Sequence, residues 1–209
     1  VRGHHVPVST PEDASSSRYG QSLYSFLPHA YKHNFLNAWR LEAERLKRKG
    51  LPALHWRNEL IWWYAISALF LLGFSLAFGW LGAIFFLGQS VMAFTLLEIV
   101  NYVEHYGLHR RRLDNGRYER TTPEHSWNSN FLLTNLFLFH LQRHSDHHAY
   151  AKRRYQVLRH YDSSPQLPNG YAGMIVLALF PPLWRAVMDP KVRAYYAGEE
   201  YQLTDTQRI

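Results

Sequence analysis

An uninterrupted apolar stretch constrains this chain more than any other feature. Residues 60–97 contain no Asp, Glu, Lys or Arg, and Gly79 divides them near the middle. Each half approaches the ~20 residues that a helix needs to cross the hydrocarbon core of a bilayer. A single buried helix of the full length would be abnormal in a soluble globular domain. The stretch therefore predicts a transmembrane hairpin over 60–97, with its turn at Phe78, Gly79 and Trp80.

Basic residues flank the predicted hairpin at both ends. They are Lys47, Arg48, Lys49 and Arg57 before it, and Arg110, Arg111 and Arg112 after it. Because positively charged loops stay on the cytoplasmic side of a membrane, both ends are predicted to be cytoplasmic. The expected fold class is all-α, an integral membrane helical bundle. The alternative is a soluble helical bundle with a very apolar core, which fits the charge-free length less well.

The remaining chain is predicted to add helices and a cytoplasmic cap over residues 98–209. Residues 30–49 have apolar positions at helical spacing and end before Gly50, which predicts an amphipathic helix on the membrane surface. Residues 128–148 predict one largely buried helix that begins at an N-cap asparagine or serine. Residues 171–180 are apolar but too short to span, which predicts a helix at the interface. We expect residues 1–209 to be one membrane-embedded domain of a longer protein.

The histidines point to metal chemistry. The chain has 13 histidines and no cysteine, so disulfides and thiolate metal sites are excluded. Three histidines occur at i, i+3 and i+4 in the segment LQRHSDHHA, and a helix would direct them to one point or to two adjacent points. Two further histidines, His4 and His5, lie near the start of the chain, and His105 follows the predicted hairpin. The candidate ligands are His4, His5, His105, His144, His147 and His148.

An all-histidine set favours Fe, Zn, Cu or Ni over Mg and Ca, and several clusters suit two metal ions better than one tetrahedral ion. The alternative for the triplet is a solvated polar helix end. Glu104 and Asp146 lie beside the proposed ligands, where each could accept the second N–H of a metal-bound imidazole or simply face solvent. His140 shares a helix face with His144, and its role is left open between packing and support of the ligands.

Three stretches resemble the membrane-bound, non-haem di-iron alkane monooxygenases. They are NYVEHYGL at 101–108, LQRHSDHHA at 141–149 and RGHH at 2–5. That family belongs to a wider histidine-rich group with membrane fatty-acid desaturases and xylene monooxygenase. The resemblance implies that the six histidines named above bind two iron ions. The family's earliest histidine motif, of the type H-E-x-x-H-K, has no counterpart here, so the iron site is expected to be incomplete in this chain.

The resemblance also implies an activity and its partners. The activity is the O2-dependent hydroxylation of medium-chain n-alkanes to 1-alkanols, with electrons from rubredoxin, in the bacterial cytoplasmic membrane. The chain has no motif for a flavin, NAD or an iron–sulfur cluster, so a separate carrier must supply electrons. Its net charge of +7 suits an acidic protein or anionic membrane lipid. Lys152, Arg153 and Arg154 are the predicted docking surface for the donor.

Other functions fit the sequence less well. A related fatty-acid desaturase or xylene-type monooxygenase would use the same histidines and would differ in its product. A histidine-rich membrane metal transporter would need ionisable residues inside its spans, and residues 60–97 contain neither histidine nor acid. Nucleic acid is not an expected partner, because the basic residues flank apolar segments and form no separate basic domain.

Overall fold

Every regular element of the structure, a computed structural model that describes residues 3–196, is helical. In that range the helices are α1 Leu23–Lys47, α2 Glu59–His105, α3 Leu132–Phe137, α4 His144–Ala149, α5 Tyr171–Ala178 and α6 Pro181–Tyr196. Single 3-10 turns lie at Pro123–His125 and Tyr155–Val157. The described residues form no strand, only two isolated β-bridges. The predicted all-α fold class is confirmed.

The apolar stretch reverses direction at Gly79. This residue has φ 64° and ψ −153°, whereas the residues of α2 on either side of it are helical. The ring of Phe74 lies 6.1 Å from that of Phe85 and 5.6 Å from that of Phe86, between centroids. In one continuous helix, residues 74 and 86 would stand about 18 Å apart. The two halves of α2 are therefore antiparallel, and the reversal uses a backbone conformation that is open almost only to glycine.

The side chains of this hairpin face outward. Trp62, Leu69, Leu76, Trp80 and Met92 are all more than half exposed, and only 6% of the most apolar window of α2 is buried. Soluble monomers rarely expose apolar surfaces of this extent. By length and composition, α2 is the one helix among residues 3–196 that is suited to cross a membrane. That it crosses as two spans is our proposal for this part of the chain.

Gly82→Ala is expected to destabilise the hairpin, because the added Cβ would lie against the Phe74 carbonyl oxygen and 2.8 Å from the carbonyl carbon. We expect a loss of about 1–3 kcal/mol, as for other overpacked positions. Gly88→Ala is the matched control, since a Cβ there meets nothing within 4 Å. Thermal unfolding of the detergent-solubilised protein measures both. Equal midpoints for the two variants would contradict the close approach.

The segments outside the hairpin unit, residues 3–30 and 98–196, share one core. The Tyr102 hydroxyl donates to the Gln21 carbonyl at 2.7 Å, and the Trp127 indole N–H donates to the Tyr106 carbonyl at 2.8 Å. The Tyr106 hydroxyl donates to the Asp189 carboxylate at 2.7 Å. These three buried aromatic side chains thus have partners for their polar edges. These bonds hold the N-terminal segment, the end of α2 and α6 around the same core.

The helix predicted over residues 128–148 is instead two short helices, α3 and α4. Phe139 and His140 between them have positive φ values of 49° and 60°. The His140 N–H donates to the Asn135 carbonyl at 2.9 Å, which is the bond that closes a helix when the residue after its C-cap is left-handed. Glycine usually occupies that place, so the apolar pattern of the sequence gave no sign of the break. The break separates α4, with its three histidines, from α3.

Candidate metal centre

The N-terminal segment presents His4 and His5 from a series of turns rather than from a helix. The Ser9 hydroxyl donates to the His125 carbonyl and the Ser17 hydroxyl donates to the Tyr102 carbonyl, each at 2.7 Å. The Arg110 backbone N–H donates to the Ser9 carbonyl at 2.7 Å. The N-terminal segment forms neither a helix nor a strand, and these bonds fix it against the end of α2.

His105 is the last residue of α2 and is fully buried. Its Nδ1 lies 3.4 Å from both the His125 carbonyl oxygen and the Ser126 hydroxyl. Its Nε2 has no hydrogen-bond partner among the described residues. These two contacts on one side of the ring therefore orient the imidazole and leave the opposite nitrogen available as a ligand.

Helix α4 carries three histidines in less than two turns. His144 and His148 are buried, and His147 is partly exposed. Asp146, on the same helix, accepts a charge-assisted hydrogen bond from the Arg153 guanidinium and a bond of 2.9 Å from the Arg159 backbone N–H. A helix of this length has little intrinsic stability, so these bonds to the following loop hold the histidines in place.

All six predicted ligands meet in one cluster. One ring nitrogen from each of His4, His105, His144 and His148 can be chosen so that all four lie within 4.8 Å of one another. The ring of His5 lies 4.8 Å from that of His147 and 4.7 Å from that of His148, between centroids. Two neighbouring groups of imidazoles therefore share His148, an arrangement suited to two adjacent metal ions.

Several ring nitrogens in the cluster lack hydrogen-bond partners. Buried ring nitrogens without a hydrogen bond among the described residues occur on His4, His5, His105, His144 and His148. Each such group costs about 1–3 kcal/mol if nothing binds it. Burial lowers the pKa of His105, His144 and His148 well below the usual value, which keeps these rings in the neutral form that binds metals. The donor set therefore fits a transition metal such as iron.

Asp13 is a candidate site residue that the sequence did not reveal. Its carboxylate accepts a hydrogen bond from His4 Nδ1 at 2.8 Å and one from the Ser16 hydroxyl at 2.6 Å. Burial lowers the pKa of His4, but the hydrogen bond to Asp13 and the negative charges of Asp13, Glu104 and Glu98 together outweigh this effect, and the net pKa is raised. The bond leaves Nε2 of His4 facing the cluster. No motif spacing links residues 4 and 13, and only the folded turn brings them together.

Glu104 is fully buried beside the cluster, as its position next to His105 suggested. Its Oε2 lies 2.9 Å from Nε2 of His144, at ion-pair distance, although neither carboxylate oxygen has hydrogen-bond geometry with a described residue. Burial raises the pKa of Glu104 to about 8, and the neighbouring Tyr171 hydroxyl opposes that shift. Glu104 is therefore neutral near pH 7 unless a cation lies beside it, and a bound metal ion would favour its carboxylate form.

The structure places the other predicted residues around the cluster. His140 Nδ1 lies 3.2 Å from the Tyr155 carbonyl oxygen, in the turn between α3 and α4. Asp146 contacts Arg153 and Arg159 rather than an imidazole. Lys152 and Arg154 are exposed, whereas Arg153 is partly covered, with its guanidinium 4.1 Å from the centre of the Tyr150 ring.

Asp13→Asn is expected to weaken metal binding by about 10–100-fold, the range found for groups that orient metal-bound histidines. The amide cannot replace the negative charge that favours a proton on His4 Nδ1. Asp162→Asn is the control, because Asp162 also pairs with a histidine but is fully exposed. Metal retention by the full-length protein during dialysis against a graded chelator measures the effect. Equal retention by both variants would show that Asp13 has no such role.

Comparison with known proteins yields one family and several relatives. Residues 2–178 match the family described as fatty acid desaturase. The chain is 77% identical over 207 residues to "Alkane 1-monooxygenase 1" of Pseudomonas aeruginosa, covering 99% of this chain and 54% of that protein. It is 71% identical over 210 residues to "Alkane 1-monooxygenase 2" of Alcanivorax borkumensis, covering 100% and 55%.

A more distant relative has a different name. The chain is 30% identical over 198 residues to "Xylene/toluene monooxygenase hydroxylase component XylM" of Pseudomonas putida, covering 92% of this chain and 51% of that protein. The chain thus spans about half the length of the curated relatives it matches. The resemblance inferred from the histidine motifs is confirmed.

Proposed function

We propose that the whole protein, whose chain belongs to the fatty acid desaturase family, hydroxylates medium-chain n-alkanes at a terminal carbon. The observation that carries the proposal is the cluster of six histidines in a chain this similar to alkane 1-monooxygenases. The overall reaction is R–CH3 + O2 + 2 e⁻ + 2 H⁺ → R–CH2OH + H2O. One oxygen atom enters the C–H bond and the other leaves as water.

The six histidines would hold two non-haem iron ions. Imidazole suits iron, and the two overlapping groups around His148 offer more nitrogens than one ion needs. Bound iron would supply the oxidising power that activates O2 towards an unactivated C–H bond. The chain's own residues hold and orient the imidazoles through Asp13, the His125 carbonyl and the loop bonded to Asp146. Glu104, His105 and His148 are buried, which shields that side of the site from bulk water.

Electrons would come from an acidic protein of the rubredoxin type. The sequence has no motif for a redox cofactor that accepts hydride, and it carries excess positive charge. Exposed Lys152 and Arg154 lie within ten residues of His144, His147 and His148. Complementary charge would speed the encounter with an acidic donor. We place the protein in the bacterial cytoplasmic membrane, with the cluster on the cytoplasmic side.

Product analysis tests the activity. Full-length protein in membranes, with iron, a rubredoxin, its reductase and n-octane, is expected to form 1-octanol that carries one atom of 18O from 18O2. The relative named for xylene and toluene makes an aryl-methyl substrate the natural competitor. Preferential oxidation of xylene, or a product with a new C=C bond, would replace the proposed activity by a related one. Absence of 18O in the alcohol would exclude a monooxygenase.

A further inference from the structure

The later part of helix α1 lies across the open end of the hairpin, opposite the turn at Gly79. The Tyr31 hydroxyl donates to the Thr95 hydroxyl at 2.7 Å, and two turns later the Trp39 ring stacks on Tyr64 with centroids 6.1 Å apart. Tyr64 and Thr95 lie almost equally far before and after Gly79, so they mark the same level of the antiparallel halves. Residues 31 and 39 are about 12 Å apart along a helix, close to the roughly 8–10 Å between the axes of packed helices. This part of α1 therefore runs from the end of one half to the end of the other.

The loop between α1 and α2, residues 48–58, has a fixed shape. The Arg45 guanidinium donates to the Arg57 carbonyl at 2.7 Å and to the Glu42 carboxylate at 2.7 Å. The same carboxylate accepts the Glu59 backbone N–H at 2.8 Å. Asn58 is fully buried, and its side-chain amide bonds to the backbone on both sides of it. These bonds tie the end of α1 and the start of α2 to the same loop.

The α1–α2 loop exposes large apolar side chains beside cations. Leu54 and Trp56 are 77% and 65% exposed, although neither belongs to the apolar stretch of α2. The Arg57 guanidinium lies 5.1 Å from the centre of the Trp56 ring. Residues 40–59 contain six Lys and Arg against three Glu, and the exposed run among them is Lys47, Arg48 and Lys49. The loop therefore combines exposed apolar side chains with an excess of positive charge.

We propose that the α1–α2 loop and the end of α1 bind the headgroups of anionic phospholipids, with Leu54 and Trp56 inserted among them. Apolar side chains that are exposed as a group mark a contact surface, and tryptophan is enriched at the level of lipid headgroups. The loop directly precedes the first of the two proposed spans, which places it at that level. A neutral bilayer would accommodate the apolar side chains, but among lipids only the anionic ones also pair with the cations. The inference rests on the two proposed spans and is independent of alkane hydroxylation.

Lipid binding in detergent tests the role of the charges. Full-length protein is titrated with phosphatidylglycerol or with phosphatidylcholine, and native mass spectrometry counts the lipids retained. The wild type is expected to prefer phosphatidylglycerol, and Arg48→Gln with Lys49→Gln should lower that preference by on the order of tenfold, because each cation near the surface adds to the attraction of anionic lipid. Arg48→Lys keeps the charge and should keep the preference. Arg117→Gln with Arg120→Gln is the matched control, since it removes two exposed cations outside the hairpin unit.

A fluorescent label at residue 54 tests insertion into the bilayer. The chain has no cysteine, so Leu54→Cys provides a specific site in it for an environment-sensitive fluorophore. Leu54 is largely exposed, and its substitution should leave the fold unchanged. In nanodiscs, brominated phospholipid is expected to quench this label. The control is Asp114→Cys, an exposed position outside the hairpin unit, where the label should stay unquenched by lipid and accessible to iodide in water.

The outcomes decide whether lipid or protein covers the loop. An equal preference for phosphatidylglycerol in the wild type, the Arg48 and Lys49 double variant and the control would overturn the proposal, as would a label at residue 54 that iodide still quenches in the nanodisc. A label shielded from both iodide and brominated lipid would show that another protein, such as a second copy, covers the loop, and would overturn it too. If the double variant fails to fold, the label at residue 54 decides. Neither measurement uses turnover, so a protein that oxidises no alkane would remove the proposed function and leave this inference intact.

Discussion

Full-length protein with His144→Ala and His148→Ala is expected to lose nearly all of its bound iron and all hydroxylation. Both rings are buried, and all four of their nitrogens lack hydrogen-bond partners among the described residues. His148 lies between the two groups of imidazoles, with ring centroids 4.9 Å from His4 and 4.7 Å from His5. Removing it should therefore weaken both metal positions. The effect should exceed the 10–100-fold loss that is typical of an orienting residue.

His140→Asn is the matched control for this variant. His140 lies four residues before His144, but its ring contacts the Tyr155 carbonyl oxygen. Asparagine tolerates the left-handed backbone at this position better than most residues. Iron per protein and iron spectroscopy should match the wild type for His140→Asn and fall to background for the double variant. Full iron content after the double substitution would refute the histidine centre, and a single bound zinc in the wild type would refute a di-iron one.

The sequence motifs predicted which histidines cluster better than they predicted the helices that carry them. The i, i+3, i+4 spacing needs only one short helix to bring His144, His147 and His148 together, and α4 is no longer than that. The pairing of these residues with His4 and His105 depends on tertiary structure. It was available from the resemblance to a known family and not from spacing alone.

Two features that the sequence did not predict, the contact of Asp13 with His4 and the break before α4, depend on contacts between distant or irregular segments. Asp13 reaches His4 only because the N-terminal turns are bonded to the end of α2. The break before α4 depends on Phe139 in a conformation that favours glycine, which no propensity would suggest. The reversal of the apolar stretch, by contrast, was predictable, because Gly79 lies midway in a run twice the length of one span.

Arg153 differs from the two other residues of the predicted donor surface. The sequence treated Lys152, Arg153 and Arg154 as equivalent exposed charges, but the Arg153 guanidinium pairs with the fully buried carboxylate of Asp146 and also contacts the Tyr161 hydroxyl at 3.2 Å. The partner carboxylate and hydroxyl raise the pKa of Arg153 further above its usual value. Its charge is therefore paired within the protein, and we propose that its main role is to hold α4 in place.

Charge reversal at Lys152 and Arg154 should consequently change donor association without changing iron binding. Lys152→Glu with Arg154→Glu is expected to leave iron content unchanged and to slow donor-dependent turnover by about tenfold at low salt, because exposed charges act mainly on the association rate. The difference should shrink near physiological salt, where the Debye length is about 8 Å. Turnover measured against rubredoxin concentration at several ionic strengths tests this. An unchanged dependence at every salt level would show that these residues serve only contact with anionic lipid.

Arg153→Glu is expected to lower iron content and thermal stability, unlike the substitutions of Lys152 and Arg154. It would place a second carboxylate beside buried Asp146 and leave that charge unpaired, which proteins accommodate poorly. Helix α4 should loosen, so iron content and thermal stability should fall together, and added salt should not restore turnover. Arg153→Lys keeps the charge without the planar guanidinium and should retain most of the iron. If Arg153→Glu keeps full iron and loses only salt-sensitive turnover, then Arg153 belongs to the docking surface and its bond to Asp146 does not position the ligands.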